Sequence, residues 1–127
     1  DVLRRFDYDR FVQEHVNPSL AIYRYSIDAT SIDSGNVAID EKTRRVTIFA
    51  KGRPEMRLAW VEAGFSLMNT AAIELLPASG KCSFEERVYQ EIAARGELEY
   101  EIVNEEFYDI GNPADLARTR AGLEAAR

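Results

Sequence analysis

The stretch that decides the fold is Phe107-Tyr108-Asp109-Ile110-Gly111-Asn112-Pro113-Ala114-Asp115, or FYDIGNPAD in one-letter code. Its second half has the residues of a helix start. Asn112 suits the N-cap, Pro113 suits the first helical position, and Asp115 complements the helix dipole. Its first half is an apolar strand that ends in Asp109. A strand that passes through a short turn into a helix is typical of α/β domains.

Helix capping does not account for Asp109. In open α/β sheets, ligands bind at the edge where the carboxyl ends of the strands lie, and Asp109 occupies such a strand end. A role in the turn, or an ion pair with a nearby arginine, is the alternative. Spacing alone favours the turn, because acidic residues are common in turns.

Upstream of this stretch, apolar strands alternate with helices. The predicted strands are Leu20–Ile27, Asn36–Asp40, Arg45–Ala50, Ala59–Met68, Leu98–Val103 and Glu106–Ile110, and the predicted helices are Asp7–His15, Thr70–Leu76 and Ser83–Gly96. Ser83 and Glu86 form the capping box of the third helix. The second and third strands form a hairpin around a polar turn. This order predicts an α/β layered domain with a mostly parallel sheet.

Length and charge limit the classes of protein. The 127 residues suit one domain or part of one. The net charge of −6 argues against a nucleic-acid or anionic-membrane partner. The longest apolar runs, such as Ala71–Pro77, are far shorter than the roughly 20 residues of a membrane-spanning helix. The first residue is not Met, so we expect the chain to lack its true beginning.

Cys82 and His15 are the single cysteine and the single histidine of the sequence. One cysteine allows no internal disulfide and no cysteine metal cluster, so the simplest setting is a reducing cytoplasm. One histidine excludes a histidine-based metal site. His15 lies on the apolar stripe of the first predicted helix and is expected to pack there, and Cys82 is expected to be inert.

Two further residues are candidates for ligand binding. Lys51 follows the hairpin beside Gly52, where its ammonium group can meet a phosphate, and a solvated lysine is the alternative. Glu62 interrupts an apolar strand, and Gly64 allows something to approach the backbone closely. Because a buried, unpaired carboxylate is costly, Glu62 needs either a ligand or a structural ion pair. The sequence leaves both open.

Taken in order, these pieces resemble the second half of the NDP-sugar nucleotidyltransferases. Phe107–Pro113 resembles the family's Phe-x-Asp-Ile-Gly-Thr-Pro, and Asp1-Val2-Leu3 resembles the stretch after its Asn-Gly-Asp strand end. Lys51 falls where the family has Glu-Lys-Pro or Glu-Lys-Gly. Glu62-Ala63-Gly64-Phe65 falls at its Asn-Ala-Gly-aromatic strand, and Ser83-Phe84-Glu85 resembles its Phe-Ser-Leu/Phe-Glu helix start.

The resemblance implies a Rossmann-like layered sheet of the GT-A-like type that is truncated at its N-terminus. Residues 1–127 would be the C-terminal, sugar-phosphate-binding part of one nucleotidyltransferase domain. The implied reaction is the transfer of a nucleotidyl group from an NTP to a sugar 1-phosphate, which releases pyrophosphate. The implied setting is cytoplasmic synthesis of NDP-sugars for bacterial cell-envelope polysaccharide. The implied partners are the two substrates, with no nucleic acid or membrane, and a homo-oligomer is left open.

The resemblance also assigns roles to residues. Asp1 and Asp109 would be catalytic carboxylates that hold Mg²⁺, which prefers oxygen ligands. Lys51 would be catalytic and would hold the sugar phosphate. Glu62, Ala63 and Gly64 would bind the sugar.

The sequence departs from the family at two of these positions. Ala50 replaces the usual Glu before the lysine, and Glu62 stands where the family has Asn. The family's nucleotide loop lies in the half that is absent here, so this chain alone is expected to be inactive. The alternative function is a non-catalytic sugar-phosphate-binding or assembly module of the same fold.

Overall fold

The structure, a computed structural model, describes residues 2–4, 6–24, 35–104 and 107–125. The strands are β1 Val2–Arg4, β2 Ser19–Arg24, β3 Val37–Asp40, β4 Arg45–Phe49, β5 Trp60–Leu67, β6 Glu99–Ile102 and β7 Phe107–Asp109. The α-helices are α1 Tyr8–Glu14, α2 Gln90–Ala94 and α3 Pro113–Ala125. Two 3₁₀ helices, Pro54–Met56 and Thr70–Leu75, lie on either side of β5, and a π-helix, Glu85–Tyr89, leads into α2.

Five strands close into a small barrel in the order β2-β5-β3-β4-β6, and β6 pairs with β2. The β2–β6 pair is parallel, and the other barrel pairs within the described ranges are antiparallel. β1 and β7 form a separate antiparallel pair. The predicted mixture of helices and strands is confirmed.

The predicted layered, mostly parallel sheet is wrong. A four-residue turn joins β3 to β4, and strands joined by so short a turn pair antiparallel. This hairpin then reaches β5 through Val37 and Trp60, and β6 through Arg45 and Glu99, which closes the barrel. These pairings join distant parts of the chain, and the local hydrophobic pattern does not encode them.

Both faces of β2 are buried, as its continuous apolar run predicts. Leu20 and Ile22 belong to the larger core cluster, which includes Val88 and Ile92 from the segment around α2. Ala21 points to the opposite face and belongs to the smaller core cluster. The smaller cluster also contains Phe11 of α1, with Val61, Ala63 and Val103. The two sides of β2 therefore belong to two different cores, one with the segment around α2 and one with α1.

Three predicted helix starts are confirmed. The side chain of Asp7 accepts a hydrogen bond from the Arg10 backbone N–H at 2.9 Å. Ser83 Oγ accepts one from the Glu86 N–H at 3.3 Å, and Asn112 Oδ1 accepts one from the Asp115 N–H at 3.0 Å. Each bond satisfies a backbone donor that has no partner within its helix.

One helix differs from the prediction in its first turns, and two predicted strand ends cannot be compared with the structure. The segment after Ser83 begins with a π-helical stretch before it continues as α2, although a uniform α-helix was predicted. The predicted strand ends at Ile27 and starts at Glu106 lie outside the described residues. Among the described residues, no helix is long and apolar enough to cross a membrane.

Candidate functional site

Lys51 lies in the turn after β4 and forms an ion pair with Glu85, the first residue of the π-helix. The Lys51 side chain is 52% exposed and that of Glu85 is 35% exposed. The hydrogen bond with Glu85 raises the pKa of Lys51, and burial opposes this shift. The charges of Glu85, Glu62 and Glu86 raise the pKa further. Lys51 is therefore a cation in acidic surroundings.

The backbone of Glu62, the second candidate residue, is fixed by a hydrogen bond to Asn36. Its N–H donates to Asn36 Oδ1 at 2.9 Å, and its side chain is half-buried. The charge of Glu62 acts on both Lys51 and Tyr89. The charges of Lys51 and Glu62, which the sequence singled out separately, therefore act on each other.

Gly64 lies in a bulge of β5. Leu20 pairs with Ser66 and Ile22 pairs with Glu62, so three residues of β5 lie opposite Ala21 alone. Gly64 has φ 71°, which a residue with a side chain adopts only at a cost, and it is exposed. β-Bulges are frequent next to binding sites because they redirect the strand. Here the bulge leaves Gly64 exposed between the buried Ala63 and the half-buried Phe65.

Ala63 differs from its neighbours because its side chain is fully buried in the smaller core. The side chain at position 63 thus points to the face opposite Glu62 and Ser66, as alternation along a strand requires. Of the predicted sugar-binding residues, Glu62 is half-buried and Gly64 is exposed, whereas the whole of Ala63 is buried and is closed to a ligand.

Two hydroxyl groups complete this polar cluster, and sequence reasoning missed both. Ser66 Oγ and Tyr89 Oη are 2.7 Å apart. Burial raises the pKa of Tyr89 to about 12, the Ser66 hydrogen bond lowers it, and the charges of Glu62 and Glu85 raise it. The phenol is therefore protonated at neutral pH. Alternation could have indicated Ser66, which shares a strand face with Glu62, and helical spacing could have indicated Tyr89, four residues after Glu85.

Asp109 is the last residue of β7, and the β1–β7 register places it opposite Val2. Asp1, the other predicted metal ligand, directly precedes Val2 and lies outside the described residues. The register thus places the Asp109 backbone beside the residue that follows Asp1. The described side chains contain no group of three or more His, Cys, Asp or Glu residues that could hold a metal ion.

A second polar cluster lies along a groove of about 980 Å³. His15 Nε2 and Glu101 Oε2 are 2.8 Å apart, and His15 Nδ1 and Ser19 Oγ are 3.1 Å apart. Burial raises the pKa of Glu99, but the hydrogen bonds with Asn17, Arg45 and His15 and the charge of Arg45 together lower it, and the net shift is downward. His15 also stacks on Phe11, as its predicted packing role requires. These contacts join α1 to β6.

The barrel, its flanking helices and the β1–β7 pair define a mixed α/β fold. Among solved structures, the chain is similar to a Bacillus anthracis protein assigned as a glucose-1-phosphate thymidylyltransferase and crystallised with sucrose. The TM-score is 0.72 and the sequence identity is 16%. The match covers 95% of this chain and 50% of the other, so the chain spans about half of that protein's length. No family model and no curated protein matches the chain.

Proposed function

We propose that this chain forms the sugar-phosphate-binding part of a nucleotidyltransferase that transfers a nucleotidyl group from an NTP to a sugar 1-phosphate. One observation carries the proposal: the fold is shared with a protein assigned as a glucose-1-phosphate thymidylyltransferase over 95% of this chain. The polar cluster around Lys51 supports it, because the cluster offers one cation and several groups that hydrogen-bond to hydroxyls.

Lys51 binds the phosphate of the sugar 1-phosphate in this proposal. Its ammonium group is half exposed and sits in a turn beside Gly52, so a ligand can reach it. A lysine contacts phosphate as a point charge and tolerates several phosphate orientations. Its contribution is to align the attacking phosphate oxygen and to stabilise the charge that develops during transfer.

The sugar lies over the bulge of β5. Glu62 accepts hydrogen bonds from sugar hydroxyls, and the exposed backbone at Gly64 lets the ring approach closely. The Ser66–Tyr89 pair lies next along the same face, and the protonated phenol supports Ser66 as a hydrogen-bonding group.

Asp1 and Asp109 would hold Mg²⁺. The β1–β7 register supports this assignment, since it brings the Asp109 backbone opposite the neighbour of Asp1. Two carboxylates together with substrate phosphates are the usual ligands of Mg²⁺. An ion bound there would neutralise part of the negative charge on the substrate phosphates. A sugar 1-phosphate oxygen attacks the α-phosphate of the NTP, and pyrophosphate leaves with the bonding electrons.

The test is Asp109→Asn in the full-length gene product, assayed for Mg²⁺-dependent pyrophosphate release from an NTP and a sugar 1-phosphate. We expect loss of at least about 100-fold in rate, because electrostatic groups at transferring phosphates contribute on this scale. Asp9→Asn, which removes an exposed carboxylate in the first turn of α1, is the control for the loss of one acidic charge. Undiminished turnover in Asp109→Asn would remove this residue from the metal site.

A second candidate is a non-catalytic sugar-phosphate-binding or assembly module of the same fold. The acidic surroundings of Lys51 favour it, because they weaken the stabilisation that Lys51 can give to negative charge developing on a transferring phosphate. Binding of glucose 1-phosphate by the full-length gene product, without pyrophosphate release at any Mg²⁺ concentration, would decide for the module.

A further inference from the structure

The Lys51–Glu85 ion pair presents a conflict within the proposed site. Lys51 is the cation that would receive a phosphate, yet its hydrogen bond already goes to the Glu85 carboxylate. The charges of Glu62 and Glu86 act on Lys51 as well. Three carboxylates thus act on the ammonium group of Lys51, and an incoming phosphate brings more negative charge to the same group. The ligand and Glu85 therefore compete for one ammonium group.

Glu85 is placed so that it can give way. The pair joins the turn after β4 to the start of a helix and is about half exposed, so either side chain can rotate into solvent. The helix itself is anchored by the hydrogen bond from the Glu86 N–H to Ser83 and by the contact of Tyr89 with Ser66. A change at position 85 can thus be confined to its side chain.

We propose that Glu85 is a positioning residue that holds Lys51 in the free site and yields it to the anionic group of the ligand. Glu85 thereby lowers the affinity of the site for phosphate and keeps Lys51 oriented while the site is empty. This inference takes one point from the proposed function, which is that the phosphate of the ligand binds at Lys51.

The next residue along the helix offers a matched control. Glu86 carries the same charge and lies in the same helical turn, but it is exposed, and the hydrogen bond of Lys51 goes to Glu85. Glu85→Gln removes the charge that pairs with Lys51, whereas Glu86→Gln removes a charge that acts only from a distance.

The experiment measures binding of inorganic phosphate and of glucose 1-phosphate to the 127-residue chain by calorimetry at low ionic strength. We expect Glu85→Gln to bind both probes about threefold to fivefold more tightly than the wild type, in keeping with the small energies of exposed ion pairs. Glu86→Gln should change affinity less than about twofold. Lys51→Met in the Glu85→Gln background should abolish the gain.

A readout beyond affinity separates positioning from mere folding. The Lys51 side chain, followed by NMR of its Cε, should lose part of its raised pKa in Glu85→Gln and less of it in Glu86→Gln. Unchanged affinity in Glu85→Gln, an equal gain in Glu86→Gln, a gain that persists without Lys51, or no phosphate binding in any variant would each overturn the proposal. Failure of the proposed function would instead appear as absent pyrophosphate release by the full-length gene product, with the Glu85→Gln gain in phosphate affinity intact.

Discussion

At the scale of single residues, the candidate site combines two kinds of residue. Its charged residues are recognisable in the sequence, whereas the residues that hydrogen-bond around them show no distinctive sequence pattern. Lys51 stands out because it directly precedes a glycine at the end of an apolar run, and Glu62 stands out because it interrupts an apolar run two residues before a glycine. Tyr89 does not stand out, because a tyrosine on the buried face of a helix is ordinary core material. Tyr89 belongs to the candidate site because its hydroxyl group hydrogen-bonds with Ser66 of β5. Such a pairing depends on the fold, and no local pattern reports it.

The phenol of Tyr89 makes stability depend on alkaline pH. The folded chain keeps its proton to about pH 12, whereas the unfolded chain releases it near the ordinary value of 10.0. The contribution is therefore complete below about pH 10 and is lost as the pH rises to about 12. We predict that Tyr89→Phe reduces this alkaline loss and, at neutral pH, costs about 1 kcal/mol because Ser66 loses a partner. Urea unfolding at several pH values measures both effects.

Tyr8→Phe is the control for this prediction, since the Tyr8 side chain is 42% exposed. It should change the free energy of unfolding by less than about 0.5 kcal/mol. Phenolate absorbance gives a direct check: Tyr89→Phe should remove a titration near pH 12. A variant that keeps that titration would show that another tyrosine is responsible.

At the scale of elements, features governed by neighbours in sequence were predictable. The caps at Asp7, Ser83 and Asn112 each need a side chain and an N–H three residues apart, and all three form. The bulge in β5 was less predictable, because a glycine in a strand indicates a bulge or a close approach without saying which. Only the pairing with β2 shows that two extra residues are accommodated around Gly64.

We predict that Gly64→Ala destabilises the chain by about 1–2 kcal/mol, because alanine is strained at φ 71°. Gly122→Ala is the control, since Gly122 lies within α3, where alanine should stabilise by up to about 1 kcal/mol. Thermal or urea unfolding gives both free energies. A neutral Gly64→Ala would mean that β5 pairs with β2 without the bulge.

At the scale of the whole molecule, the sequence indicates a layered sheet where the structure has a closed barrel. The five barrel strands were predicted with small errors at the ends that the structure describes, and β1 was not predicted. Their arrangement depends on Asn36, which joins three parts of the chain. The Asn36 N–H donates to the Trp60 carbonyl at 2.8 Å, its carbonyl accepts from the Ala50 N–H at 2.8 Å, and its side chain accepts from the Glu62 N–H. An asparagine at the start of a strand gives no local sign of this.

We predict that Asn36→Ala costs about 1–3 kcal/mol, because the partly buried Glu62 N–H loses its acceptor. Asn36→Asp keeps an acceptor oxygen and should recover most of this loss. Hydrogen exchange at the Glu62 amide should accelerate in Asn36→Ala and not in Asn36→Asp. Equal exchange in the two variants would show that this bond does not hold β5 to the hairpin.

The contacts that join α1 to β6 have a consequence for the order of folding. His15 and Glu101 meet although 86 positions separate them in the chain. The β3–β4 hairpin, by contrast, closes across one short turn. Because distant contacts pay their loop-closure entropy before they stabilise anything, the hairpin should form early and the β2–β6 ladder late. A chain emerging during synthesis therefore keeps β2 without its parallel neighbour until β6, which begins at Glu99, has also been made.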